Sequence, residues 1–304
     1  MQINSLHTIL QAFTDFDFVD THFTVPQDYI LTTNAPIFDI NSNLKPYSDL
    51  LKIGHMNSVS LPLHRDEIAR VLYKTKFDIL GVCETNIKHN TPKDLYNIKG
   101  YKLFHVDRNH KNSGGVGIFL NEELANKAKI INVNYKEVQP ELIFLEVDVN
   151  KVKILIGVVY KSPCIRYGIF SDILEILAYF TTKYDNTVFL GDFNICQLNI
   201  NSPAYNFFNN NIIKPLSLSQ MVKTPTRITK DTCTLLDLIL VNSPSSVKFC
   251  GNTDLAGISD HTLVYCAYSL KKQNLLLKLL KNGISKLLRK IILILIWRMQ
   301  HGTQ

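Results

Sequence analysis

With 304 residues, 46% of them apolar and 19% charged, the chain matches ordinary globular composition and excludes disordered and fibrous classes. The net charge of +7 belongs to the tail: beyond Leu270 there are eight Lys and Arg and no Asp or Glu, so residues 1–270 carry −1. A near-neutral body gives no net-charge argument for nucleic-acid binding, and any basic groove in it must be local. The six cysteines form no CxxC pair, which speaks against zinc ribbons and redox motifs. No basic segment followed by a long apolar run stands at the Met1 end, so no secretory signal is expected, and an intracellular protein with reduced thiols is.

Residues 1–50 mix short apolar clusters with Asn, Thr, Asp and Pro and read as a loosely ordered leader. From Leu51 the pattern tightens. Leu51 to Asn57 reads as a strand, and Leu63 to Thr75 as a helix through Ile68, Val71 and Leu72. Phe77 to Cys83 is a buried strand that runs into Glu84. Strands follow at Tyr101 to Val106, Gly115 to Leu120, Leu142 to Val149 and Val152 to Tyr160, the last two joined as a hairpin by Asn150-Lys151. The Gly114-Gly115 pair is a tight strand start, because the helix and spacing of a nucleotide-binding glycine loop are missing. Phe170 to Tyr179 is an amphipathic helix, Thr187 to Gly191 a strand ending on Asp192, and further strands are Leu235 to Val241 and Thr262 to Ser269.

Strands outnumber helices, hairpins coexist with helical crossovers and no repeat appears, so an α/β two-sheet sandwich fits better than a doubly wound sheet. The central domain is expected over 51–270. Residues 271–304 are a basic, amphipathic helical tail: the Leu287 to Trp297 run is too short to span a bilayer, so no stable membrane span is expected. A cationic helix of no specific role competes there with a nucleic-acid or membrane-surface contact.

Polar groups stand at the ends of apolar runs: Asn57, Glu84, Asp192 with Asn194, and Asp260-His261 just before Thr262 to Ala267. Strands ending this way gather their acids at one sheet edge, where the clustered charge costs energy unless a cation neutralises it. An oxygen-only donor set suits magnesium. Any one of these acids alone reads as an ordinary loop acid.

In order, Asn57, Cys83-Glu84-Thr85, Val159-Tyr160-Lys161-Ser162-Pro163, Gly191-Asp192-Phe193-Asn194, Leu236-Asp237-Leu238-Ile239 and Ser259-Asp260-His261 resemble the motifs of the endonuclease/exonuclease/phosphatase superfamily. Within it, the chain is most similar to the apurinic-type endonuclease domain of LINE-type (non-LTR, Jockey-like) retrotransposons. Asp107-Arg108 leading to Gly114-Gly115-Val116-Gly117-Ile118, then Pro225-Thr226-Arg227, then Thr234 to Leu240 carry that likeness. Lys161 stands where an Arg is common, and no Tyr-x-Asp-Asp sequence of a reverse transcriptase is present.

The resemblance implies a DNase I-like, four-layered sandwich and a metal-dependent endonuclease that nicks DNA using Mg2+, or Mn2+ in its place, in the nucleus where DNA is the target. It implies Glu84 as the main metal ligand, supported by Asn57 and Asp260. Asp192 would orient or deprotonate water, Asn194 hold the transferring group, His261 exchange a proton with the phosphate, and Asp237 hold the imidazole. Tyr160 would bond a phosphate oxygen or assist the leaving group, and Arg108, Thr226 and Arg227 would bind substrate. Two alternatives stay open: a phosphatase or phosphodiesterase of the same superfamily acting on a non-nucleic-acid substrate, and an inactive truncated element fragment.

Overall fold

The computed structural model of the protein describes residues 27–271 except 89, 93, 108–113, 136–138 and 256. The first strands in chain order are β1 (Leu50–Asn57), β2 (Ile79–Cys83), β3 (Tyr101–Val106), β4 (Val116–Asn121), β5 (Ala128–Ile130), β6 (Glu141–Val149) and β7 (Val152–Tyr160). They are followed by β8 (Thr187–Asp192), β9 (Ser219–Gln220), β10 (Arg227–Ile228), β11 (Cys233–Thr234), β12 (Asp237–Val241), β13 (Val247–Thr253) and β14 (Leu263–Lys271).

Two six-stranded mixed sheets result, in the orders β13-β14-β1-β2-β4-β3 and β5-β6-β7-β8-β12-β9, with β10 and β11 forming a separate small ribbon. Each sheet is built around one parallel pair, β1 with β2 and β7 with β8. A parallel pair needs a crossover. The helix Leu61–Thr75 makes the first, and a 3-10 segment, Tyr167–Ile173, continued by the α-helix Leu174–Lys183, makes the second.

The sheets pack face to face over Ile53, Ile79, Val158 and Leu190, and helices cover their outer faces, giving the four-layered DNase I-like sandwich. Outside the first sheet, Ile68, Val71 and Leu72 meet Leu80, Val82 and Phe119. Outside the second, Phe144 meets Phe180 with ring centres 4.7 Å apart.

The hairpin turn has Asn150 and Lys151 at φ 55° and 70°, which is the primed-turn geometry that matches strand twist. Two expectations are corrected. The helix expected over Phe170 to Tyr179 is split, because its first turns are 3-10. Part of the expected leader is ordered: Gln27–Leu44 is helical, Ile40 and Leu44 are buried, and Asn43 Nδ2 donates to the Tyr265 hydroxyl at 2.9 Å. Pro36 and the Asn and Asp residues hide the helical period, and tertiary packing supplies what propensity lacks. The expected tail beyond Lys271 lies outside the described residues, among which no helix is long and apolar enough to cross a membrane.

This topology fixes where the polar residues gather. The parallel strands β1, β2, β7 and β8 end at Asn57, Cys83, Tyr160 and Asp192, while β12, antiparallel to β8, begins at Asp237 directly opposite Asp192. Carboxyl ends of parallel strands and amino ends of their antiparallel neighbours therefore share one rim, where ligands of open α/β sheets usually bind.

Candidate active site

At the end of β8 the backbone is forced close to β7. Gly191 has φ 156°, and a Cβ there would lie 1.8 Å from the Val159 carbonyl oxygen, so only glycine fits. The chain then turns through Asn194 at φ 47°, as it turns after β2 through Glu84 at φ 52°. A left-handed Glu is unusual, and such strain persists only where the surroundings enforce it. Here Ser58 helps to do so, its hydroxyl donating to the carbonyls of Cys83 at 2.8 Å and Glu84 at 3.2 Å.

Around the rim, Glu84 Oε1 accepts from Asn57 Nδ2 at 2.9 Å and from the Tyr160 hydroxyl at 3.0 Å. Asn57 Nδ2 also reaches Asp192 Oδ2 at 3.4 Å. Asp192 Oδ1 accepts the Asn194 backbone N–H at 3.0 Å, and Asn194 Nδ2 donates to the Lys161 carbonyl at 2.8 Å. On the other side, His261 Nδ1 lies 2.8 Å from Asp237 Oδ2 and 3.9 Å from Asp192 Oδ2. Asp260 is half-exposed, with Oδ2 accepting from Arg227 Nε at 2.7 Å and Oδ1 3.9 Å from His261 Nε2. Asn57, Glu84, Tyr160, Asp192, Asn194, Asp237, Asp260 and His261, all expected from the sequence, thus gather at one rim, with Arg227 joined to them through Asp260.

The electrostatics divide these groups. Burial raises Asp192 to about 7, and the charge of Asp237 adds to it. Burial also opposes ionisation of Asp237, but the His261 hydrogen bond and the His55 imidazole beside it outweigh that and keep its carboxyl low. For His261 burial opposes the charge, yet the Asp237 hydrogen bond and the charges of Asp237 and Asp192 prevail and raise it to about 9. The Tyr160 phenol is pushed up by burial and by Glu84, so it remains a donor.

Ligand atoms of Asp192, Asp237 and His261 lie within 4.8 Å of one another, which suggests a metal cluster. Geometry argues against a cation between them, since His261 Nδ1 and Asp237 Oδ2 already face each other at hydrogen-bond distance. Glu84 fits a hard cation better. Two donors fix its Oε1, the carboxylate is partly open to solvent, and the Asn57 amide that holds it also reaches the Asp192 carboxylate, a second oxygen donor on the same rim.

The three residues expected to bind substrate fare differently. Thr226 does not face a ligand: it is fully buried, and its Oγ1 accepts the backbone N–H groups of Leu236 and Asp237, both at 3.0 Å, so it orients the start of β12. Arg227 is engaged by Asp260. Arg108 lies outside the described residues. Lys161, in the place of an Arg, is buried with its Nζ on the carbonyls of Ser162 at 2.9 Å and Ile165 at 2.8 Å, where it shapes the loop after β7.

Sequence reasoning passed over His55, fully buried with Nε2 3.4 Å from Asp237 Oδ1. A signal was present: a polar residue interrupts the apolar strand two positions before Asn57, hence on the same face.

A sequence model of the Endonuclease/Exonuclease/phosphatase family matches residues 40–261, and the chain belongs to that family. No curated protein matches it significantly. Among solved structures it is similar to the 3'-5' exonuclease NExo from Neisseria meningitidis, with 19% identity and TM-score 0.59 over 72% of this chain and 99% of that one. It is similar to the AP endonuclease LMAP from Leishmania major, with 12% identity and TM-score 0.61 over 78% of this chain and 98% of that one. The endonuclease domain of TRAS1, a telomere-specific non-LTR retrotransposon, aligns with 15% identity and TM-score 0.57 over 73% of this chain and all of that domain.

Proposed function

We propose that the protein is a divalent-cation-dependent DNA endonuclease of the retrotransposon target-nicking kind. The observation that carries this reading is the buried Asp237–His261 pair beside a second buried acid, Asp192, with Glu84 open on the same rim. In-line hydrolysis of a phosphodiester needs a base for water, a donor for the developing negative charge and a charge-relieving group at the leaving oxygen.

Asp192, raised to about 7, is matched to deprotonating water near neutral pH. His261, raised to about 9, is an imidazolium whose Nδ1–H is held by Asp237, leaving Nε2–H to donate to a phosphate oxygen. Asn194 holds Asp192 through its backbone N–H, and Tyr160 and Asn57 fix Glu84. Glu84, with Asn57 and Asp260 in support, would hold magnesium, which would supply polarisation of the phosphoryl group and neutralisation of charge. The nucleases named among the similar structures, and the Pro225-Thr226-Arg227 and Thr234 to Leu240 segments, support DNA over other phosphodiesters.

Supercoiled plasmid incubated with the protein and Mg2+ is expected to convert to nicked circles, with the reaction stopped by EDTA. No relaxation above an Asp192→Ala control would sink the reading. Parallel turnover on inositol phosphates and sphingomyelin separates a nuclease from other enzymes of the same fold.

A further inference from the structure

In β1 the side chains of Leu51, Ile53, His55 and Asn57 share the face turned to the second sheet, and all are buried. An imidazole in that apolar layer calls for a physical account. Its neighbour in the parallel register is Gly81, where a Cβ would come within 2.8 Å of Val158 Cγ2, 3.2 Å of Leu190 Cδ1 and 3.4 Å of His55 Nδ1. The core is therefore left bare at 81 where the ring lies. His55 Nε2 points to Asp237 Oδ1 at 3.4 Å, both side chains being fully buried. Neither ring nitrogen of His55, nor Asp237 Oδ1, has a hydrogen-bond partner of good geometry among the described residues. Asp237 Oδ2 is occupied by His261, and the Asp237 backbone N–H by Thr226.

We propose that His55 is a positioning residue for the Asp237–His261 pair, its Nε2–H holding Asp237 Oδ1 from behind so that the carboxylate cannot turn away from His261. The inference rests on the phosphodiesterase reading and adds a residue to it. A carboxylate bonded at one oxygen still rotates; one gripped at both oxygens, by two imidazoles from the first sheet's side, does not. That rigidity passes to the His261 ring, whose other nitrogen does the chemistry. His55 touches no substrate, so its loss acts on turnover and leaves binding alone.

The test compares His55→Leu, His55→Gln and Asp237→Asn, singly and combined. His55→Leu is expected to lower kcat about 10- to 100-fold with KM within about twofold. His55→Gln, whose amide nitrogen reaches the Nε2 position, is expected to recover all but roughly threefold of that loss. In an Asp237→Asn background His55→Leu has little further effect, because the group it acts through is already altered. Equal losses in the Leu and Gln variants, or the same fold-loss in both backgrounds, overturn the proposal. Wild-type turnover no higher than that of His261→Ala would instead count against the nuclease reading. The proposal is then read from thermal unfolding: the Tm drop from His55→Leu should shrink by at least about half in the Asp237→Asn protein, and an unchanged drop overturns it.

Discussion

Asp192 and Asp237 lie in the sandwich core with side-chain exposures of 2% and 0%, whereas Asp260, on the same rim and linked to them through His261, is 48% exposed. Both kinds of acid follow or precede an apolar strand, and their settings give them different work. In the buried group, burial raises Asp192 to about 7, while the Asp237–His261 hydrogen bond and their opposite charges overcome burial and keep Asp237 ionised and His261 charged. At the open rim Glu84 and Asp260 remain accessible to solvent and to an incoming ligand, and Arg227 faces Asp260 across the surface. The chemistry is thus prepared where water is excluded, and ligands are gathered where it is not.

The largest test of this division is in the buried group. His261→Ala removes the charged donor and is expected to lower kcat about a hundred- to ten-thousand-fold with the fold intact by circular dichroism. A loss smaller than tenfold would mean that the buried pair is not the acid–base device. At the rim, Glu84→Gln is expected to raise the Mg2+ concentration for half-maximal nicking about 10- to 100-fold, with binding followed by calorimetry. An unchanged Mg2+ dependence would move the metal site elsewhere.

The third prediction concerns stability. Asp192 has its folded-state value raised to about 7, against about 4 in the unfolded chain, so its proton favours the fold. The cost is absent below about pH 4, grows as pH rises toward 7, and is constant above. Asp192→Asn is therefore expected to stabilise the metal-free protein by about 1 kcal/mol near pH 8 and to give almost nothing near pH 4, although it abolishes nicking. Thermal melts in EDTA at the two pH values check this; a gain independent of pH would show that the acid is not held uncharged by burial. The smallest effect belongs to the surface. Arg227→Ala breaks an exposed ion pair and should change stability by less than about 1 kcal/mol. If Arg227 turns to a phosphate when DNA binds, the salt dependence of affinity falls by about one counterion.

Much of this arrangement is legible in the sequence. The alternation and the apolar runs that end at Asn57, Glu84 and Asp192 or begin after His261 place polar groups at strand termini, and Asn150-Lys151 sets a hairpin whose pairing runs from Glu141 opposite Tyr160 to Val149 opposite Val152. These are local properties: period, turn chemistry and the residue that stops a run. The helix Gln27–Leu44 and the edge strand β13 were not legible. Both are weak patterns stabilised by the sheet they lie against, as where the Phe249 and Tyr265 rings pack tilted with centres 5.9 Å apart.

The sequence by itself determined most of the longer strands and the inventory of acids, because each is written in neighbouring residues. Only the tertiary structure decided which acids are buried, that Thr226 turns inward to Asp237, and that His55 meets the same carboxylate. Those contacts join segments far apart in the chain, Asn57 to Asp192 across 135 positions, and they exist only once two sheets have closed on each other and removed the water between them.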